Sequence, residues 1–238
     1  MKLSIVVPIF NEEKTLEKLL TRLNRLVIPG VVPEFILVDD GSSDDSKKIA
    51  QNFVINKRNF SLFLHKRNAG KGAAARTGIK KAKGDFVVIQ DADLEYDPAQ
   101  LEGLMRPILN QEALVVYGTR IKHFPAFRKD LSKTRFFIHF IGNRLLSLLT
   151  SLLYFEWITD METCYKIIPR KFFERTQLKS EGFSFEPEVT AKILKSGLKI
   201  KELPITTRPR GYKQGKKLRT IPDGLEAVWA LIKYRFID

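Results

Sequence analysis

The stretch Phe86-Val87-Val88-Ile89-Gln90-Asp91-Ala92-Asp93 reads as a strand that runs out into two carboxylates. Four successive apolar residues, three of them β-branched, suit a strand buried on both faces of a parallel sheet. Asp91 and Asp93 stand at i and i+2 where the strand gives way to a loop, so both can converge on one hard divalent cation. Such an ion can grip a diphosphate. Taken alone, the triplet is more often an ordinary surface loop. Its placement adds weight, because ligands of open α/β sheets bind in the crevice beyond the carboxyl ends of the strands. A second acidic pair, Asp39-Asp40, closes the apolar run Phe35-Ile36-Leu37-Val38 in the same way.

From residue 3 to about 120 short β-rich runs alternate with amphipathic helical segments, the pattern of an α/β fold with a mostly parallel sheet covered on both faces. The strands are expected at Leu3 to Ile9, Phe35 to Val38, Ser61 to His65, Phe86 to Gln90 and Leu114 to Tyr117. Asn11 is placed to cap a helix whose Leu16, Leu19, Leu20, Leu23 and Leu26 share one stripe. Asp97-Pro98, a cap followed by proline at the first helical position, announces another helix with Leu101, Leu104, Met105 and Ile108 inward.

The chain has 238 residues, enough to bury one α/β core, and no repeat or low-complexity linker divides it. Its single Cys164 excludes an intramolecular disulfide framework and reads as a core thiol. With no secretory signal ahead of the first strand, a reducing, cytoplasmic location is expected. The formal net charge of +14 is uneven. Residues 65–83 carry seven Lys and Arg with no acid, residues 120–135 six against Asp130, and residues 199–219 eight against Glu202. Local cationic excess suits phosphates, whether of a nucleotide, a lipid head group or a nucleic acid, and solvated helix faces account for part of it.

After residue 120 the alternation stops. Arg135 to Phe155 is the most apolar segment, yet His139, Asn143 and Arg144 near its centre are costly in hydrocarbon. One or two helices lying at an interface are expected, with a buried helix pair completing the core as the alternative. Beyond it, Thr163 to Ile168 reads as a strand, Glu186 to Lys195 as a helix and Lys199 to Thr207 as a strand. The segment Leu225 to Phe236 sets Trp229, Ile232 and Phe236 on one face beside Lys233 and Arg235, and such a helix can touch lipid.

Two loops carry further chemistry. Pro8-Ile9-Phe10-Asn11-Glu12 follows the first strand, and Val38-Asp39-Asp40-Gly41-Ser42-Ser43-Asp44 follows the second. A carboxylate there can accept from a base N–H or from ribose hydroxyls, and Asp40 is the choice for this role, a helix cap near Ser42 being the alternative. Arg67-Asn68-Ala69-Gly70-Lys71-Gly72 opens a helix of small residues, where backbone can approach a ligand and the helix N-terminus favours anions. It lacks P-loop spacing, and a plain turn explains it nearly as well.

The order of these motifs resembles the family 2 glycosyltransferases of GT-A fold, in particular the polyprenyl-phosphate sugar synthases that make dolichyl-phosphate mannose and glucose. The likeness runs through Pro8 to Glu12, Val38 to Asp44, Asn68 to Gly72, Asp91 to Pro98 and Gly118-Thr119-Arg120. It continues through Thr159 to Lys166, Gly182-Phe183 with Glu186 and Glu188, and Arg210 with Gly215-Lys216-Lys217. The resemblance implies one domain over 1–238, with a nucleotide-sugar half at 1–120 and an acceptor half with interfacial helices at 121–238. It implies that Asp91 and Asp93 hold Mg²⁺ or Mn²⁺ on the diphosphate of a nucleotide sugar, GDP-mannose or UDP-glucose. Pro8, Phe10, Glu12 and Asp40 match positions that hold base and ribose, and Asp39, Lys71 and Ala92 complete the implied donor site. Glu95 stands where such synthases often have Gln; it can join the metal ligands but adds a charge. Arg120, Arg135, Arg210 and Lys216 match the basic region that receives the acceptor phosphate.

A phosphate nucleophile and a sugar hydroxyl make different demands. The phosphomonoester, with a second pKa of about 6, attacks as a dianion without a general base. A hydroxyl needs a base, and Asp160 is then the candidate. Asp91, Asp93, Arg120 and Asp160 are therefore the expected catalytic residues. The resemblance further implies inversion at the anomeric carbon and peripheral contact with the cytoplasmic face of a membrane, with a membrane anchor subunit as a further partner. Two rivals remain. A nucleotidyltransferase also needs metal and a Gly-rich phosphate loop. A non-catalytic nucleic-acid-binding module suits the charge, but acidic pairs at two strand ends oppose a phosphate backbone, so no nucleic-acid partner is expected.

Overall fold

The computed structural model describes residues 1–120, 132–210 and 220–237, with backbone alone for 132–140 and 220–221. Three strands come first: β1 (Lys2–Ile9), β2 (Val32–Asp39) and β3 (Phe60–Leu64). They are separated by α1 (Leu16–Asn24) and α2 (Ser46–Val54). Then follow α3 (Lys71–Lys81), β4 (Phe86–Ile89), a 3₁₀ turn at Pro98–Gln100, α4 (Leu101–Leu109) and β5 (Val115–Thr119). The remainder is α5 (Ser132–Tyr154), β6 (Lys166–Pro169), α6 (Arg170–Arg175), α7 (Phe185–Lys195), β7 (Ile200–Pro204) and α8 (Thr220–Phe236).

The seven strands form one sheet in the order β3-β2-β1-β4-β6-β5-β7. All neighbours are parallel except β6, which runs antiparallel to both β4 and β5. β2 and β3 build outward from one edge of β1 while β4 pairs with the other, opposite Leu3 to Val6. The chain therefore reverses its direction of winding between β1 and β4. In a doubly wound sheet that reversal opens a crevice at the carboxyl ends of the strands, here flanked by Pro8 to Glu12, Asp39-Asp40 and Asp91 to Asp93. β6 then presents its amino end to the same crevice, because Ile168 pairs with Val87 and the residues before it extend past the end of β4.

The apolar runs of β1, β2 and β4 are buried almost throughout, as strands covered on both faces require. Leu16, Leu19, Leu20 and Leu23 of α1 are fully buried, and Leu26 packs partly against the same core. α3 lies on β1 with Gly78 against Val6, so close that a Cβ at Gly78 would overlap the valine side chain. Two helix starts differ from expectation. Asn11 does not cap α1, which begins at Leu16 after Thr15. Instead Asn11 sits at φ 49° and its Oδ1 accepts from the Ser43 amide, 2.8 Å away, tying the loop after β1 to the loop after β2. Asp97 does cap, through the Ala99 amide, but its turn is 3₁₀ before α4 begins.

The apolar segment is a single helix, α5, and neither expected placement describes all of it. Leu146, with Leu149 and Leu153, packs on Ala227, Val228 and Leu231 of α8 around Ile158 and Met161. Ile141, Leu145, Leu148 and Leu152 stay exposed. No helix among the described residues is long and apolar enough to cross a membrane.

Candidate active site

A cavity of about 390 Å³ opens at the crevice between β1 and β4, within the size range of ligand pockets. Pro8, Phe10 and Glu12 from the loop after β1 line it, with Asp40, Lys71 at the start of α3, and Asp91, Ala92, Asp93 and Glu95 after β4. Arg120 and Arg210 complete the expected set, so eleven sequence-selected residues meet there. Asp39 and Asp160 do not reach its wall. The Arg135 side chain and Lys216 lie outside the described residues.

The turn after β2 holds the Gly-rich loop. Gly41 adopts φ +71°, and a Cβ there would sit 2.6 Å from the Arg67 carbonyl carbon, so the turn can touch that loop only as glycine. Asp40 Oδ1 accepts from the Ala69 amide (3.0 Å) and Oδ2 from the Gly70 amide (2.8 Å). His65 Nδ1 lies 2.6 Å from Asp40 Oδ1, and His65 Nε2 2.9 Å from Thr77 Oγ1. Both oxygens that were expected to read base or ribose are thus engaged in setting the loop before Lys71. Asp39 turns back to the Ser42 amide (3.2 Å), and its Oδ1 is buried with no donor among the described residues.

Lys71 Nζ lies 2.7 Å from Asp91 Oδ1 and 3.6 Å from a Glu186 oxygen. Burial opposes its charge, but Asp91, Cys164 and Glu186 hold its pKa well above the usual lysine value. Burial likewise opposes the Asp91 charge, and Lys71 overcomes this to hold the carboxyl below its usual range. Asp93 is pushed up to about 7 by burial and by the negative charges of Asp91 and Glu95, against the pull of Arg210. Burial and repulsion thus drive Asp93, though not Asp91, toward protonation even with Arg210 at its Oδ2 and the Glu95 amide donating to its Oδ1 at 2.9 Å, and hard oxygens at a cavity wall suit a divalent cation. Asp91 and Asp93 fit that ion.

Glu95, the third expected metal ligand, is turned toward the chain before Arg210. Among the described residues no three acidic, His or Cys side chains are gathered into a cation nest. Glu95 Oε1 accepts from the Arg210 backbone amide at 3.0 Å. The strap before Arg210 explains this: Thr207 bridges Tyr96, and the Arg208 amide donates to the Glu95 carbonyl. The strap delivers the Arg210 guanidinium to both oxygens of Glu12 (2.9 and 3.1 Å) and to Asp93 Oδ2 (2.9 Å).

Asp160 corrects the expectation of a general base. It is fully buried, and Arg120 reaches it through its amide (2.9 Å), Nε (2.7 Å) and Nη2 (2.7 Å), while the Asn143 amide group donates at 2.9 Å. Burial would raise its pKa, but the Arg120 charge and these hydrogen bonds hold it below the usual carboxylate range. Such a group is a poor proton acceptor and a firm anchor for Arg120. Sequence reasoning also gave no site role to Tyr96, Glu162 and Glu186, which line the cavity with Cys164. Cys164 is the buried thiol expected, and it additionally faces Lys71 Nζ at 4.0 Å. The spacing from Thr159 to Lys166 was the available signal, since it matched a motif without saying which side chain faces inward.

Sheet order and crevice are those of a GT-A fold. The fold matches glucosyl-3-phosphoglycerate synthase from Mycobacterium tuberculosis, solved with Mn²⁺, UDP and phosphoglyceric acid, at a TM-score of 0.74 and 20% identity, over 100% of this chain and 79% of that one. The glycosyl transferase family 2 model matches residues 4–176, and the chain belongs to that family. A UDP-N-acetylglucosamine–dolichyl-phosphate N-acetylglucosaminyltransferase of Methanococcus voltae is 30% identical over 85% of this chain and 84% of its own length. A dolichol-phosphate mannosyltransferase of Pyrococcus furiosus is 28% identical over 98% of this chain, which spans 64% of that protein.

Proposed function

We propose that this chain is an inverting hexosyltransferase that moves mannose or glucose from GDP-mannose or UDP-glucose to a polyprenyl phosphate, dolichyl or undecaprenyl, with Mg²⁺ or Mn²⁺ as cofactor. The observation that carries this reading is one cavity where the Asp91–Asp93 pair and the cations Lys71, Arg120 and Arg210 face the same space. Asp91 and Asp93 would hold the ion, which when bound supplies Lewis-acid stabilisation of the negative charge developing on the departing diphosphate. Lys71 adds a fixed positive charge at that end. Arg120, held by Asp160, is a preorganised cation for the attacking phosphate, and Arg210 can exchange its carboxylate partners for phosphate oxygens.

The state of Asp160 supports a phosphate acceptor over a hydroxyl. A dianionic phosphomonoester attacks without a base, whereas a hydroxyl requires one, and the expected candidate is sealed by Arg120. The dolichyl-phosphate enzymes among the relatives support the same acceptor. Exposed apolar residues on α5 and α8 support peripheral seating on a cytoplasmic membrane face, with or without an anchor subunit. A screen of nucleotide sugars against a short polyprenyl phosphate tests the reading. Nucleoside diphosphate and glycolipid should form together from one donor, and Asp93→Asn should abolish both while leaving the thermal midpoint within a few degrees. Pyrophosphate release, or transfer only to sugar hydroxyls, would overturn it.

A further inference from the structure

Glu162 stands in the turn between Asp160 and β6 and lines the cavity with Arg120, Cys164 and Glu186. Its Oε1 is buried and receives no hydrogen bond from the described residues. An oxygen in that condition destabilises the fold unless something donates to it, and native proteins keep few of them. Burial pushes the carboxyl up to about 7, with Lys166 and Arg120 opposing and Glu186 and Asp160 reinforcing. The neighbouring basic groups are committed elsewhere: Lys166 Nζ lies 2.5 Å from Glu186 Oε2, and Arg120 grips Asp160.

The sheet order says what part of a nucleotide sugar reaches this wall. Along the carboxyl edge the strands run β2, β1, β4, β6. Loops after β2 and β1 bring Asp40, Pro8 and Phe10, β4 brings Asp91 and Asp93, and the turn entering β6 brings Glu162. A donor laid with its diphosphate at Asp91 and Asp93 and its nucleoside toward β1 and β2 therefore sends its sugar toward β6. Phosphate oxygens only accept hydrogen bonds and so cannot satisfy Glu162 Oε1. Sugar hydroxyls donate.

We propose that Glu162 reads the donor's hexose by accepting a hydrogen bond from one of its ring hydroxyls, and so sets which sugar is transferred. This rests on the nucleotide-sugar reading above. The position lies between Asp160 and Cys164, where a change of side chain need not disturb the diphosphate end, so specificity can shift without loss of the metal pair.

Calorimetry on the purified protein with Mn²⁺ tests it, using the donor found in the screen, its nucleoside diphosphate, and analogues of the donor lacking single sugar hydroxyls. Glu162→Ala should weaken the intact donor roughly ten- to hundredfold, the range of a hydrogen bond to a charged group, and leave nucleoside diphosphate unchanged. One deoxy donor should bind wild-type protein as weakly as the intact donor binds the Ala variant, with no further loss when the two changes are combined. Glu162→Gln, which keeps an acceptor oxygen but not the charge, should recover part of the affinity, and if the Ala variant does not fold, its smaller but hydroxyl-selective loss decides. Equal weakening of donor and diphosphate, or no weakening of either, overturns the assignment. So does a collapse of kcat with donor affinity intact, which marks a proton-transfer role instead. Wild-type protein that binds neither ligand removes the transferase reading itself, a result distinct from a failure at Glu162.

Discussion

Three donors of Arg120 and one of Asn143 converge on Asp160, and the Thr159 and Asp160 amides are themselves held by Glu202. Removing one member of a buried ion pair leaves the other uncompensated, at a cost of about 3 kcal/mol. Asp160→Asn should therefore lower stability by about that amount at neutral pH and raise KM for the acceptor. Because the folded pKa of Asp160 lies below its ordinary value of 3.8, its contribution is full above that value and fades as pH falls through the depressed folded one. Denaturant melts of wild type and Asp160→Asn should consequently converge in strong acid; a gap that persists there contradicts the pairing. Acid and base assignments of this kind were not legible in the sequence. Asp91 and Asp93 announce themselves through a strand end, but nothing local to Asp160 reveals that Arg120, 40 positions earlier, closes over it.

The strands and helices up to β5 were legible because each buries its own periodic face, and parallel strands advertise burial on both sides as unbroken apolar runs. Asn11 failed as a cap because its side chain accepts from the Ser43 amide on the neighbouring loop after β2, a tertiary contact that local propensity does not encode. The direction of β6 was hidden as well, since nothing in the four residues Lys166–Pro169 says which way the strand runs. Close approach of elements is also silent in a sequence. Gly78 reads as a weak point in a helix, whereas its absent Cβ is what lets α3 settle on β1. Gly78→Ala should destabilise the protein by about 1–3 kcal/mol despite the better helix propensity of alanine. Thermal unfolding checks this, and a neutral or stabilising result would mean the contact between α3 and Val6 is looser than it stands.

The two long C-terminal helices share a pattern. α5 exposes Ile141, Leu145, Leu148 and Leu152, and α8 exposes Leu225, Trp229, Ile232 and Phe236, each at i, i+4, i+7 and i+11. Helical geometry places each set on one stripe, while the opposite stripes pack against one another. Phe155 and Trp157 extend the apolar surface at the end of α5 and are 84% and 68% exposed. Apolar surface of this extent on a protein carrying +14 is what the proposed seating on lipid requires, and basic residues add roughly 1 kcal/mol each near an anionic leaflet. Sedimentation with vesicles containing anionic lipid should carry the protein down, and Trp229→Ser should weaken that association several-fold without altering affinity for nucleoside diphosphate in solution. On the proposed reading, a protein seated by these stripes would encounter its polyprenyl-phosphate acceptor in two dimensions rather than three. Diluting the polyprenyl phosphate with inert lipid at a constant amount per litre should then slow turnover, because crowding within the leaflet, and not bulk molarity, sets how often the partners collide.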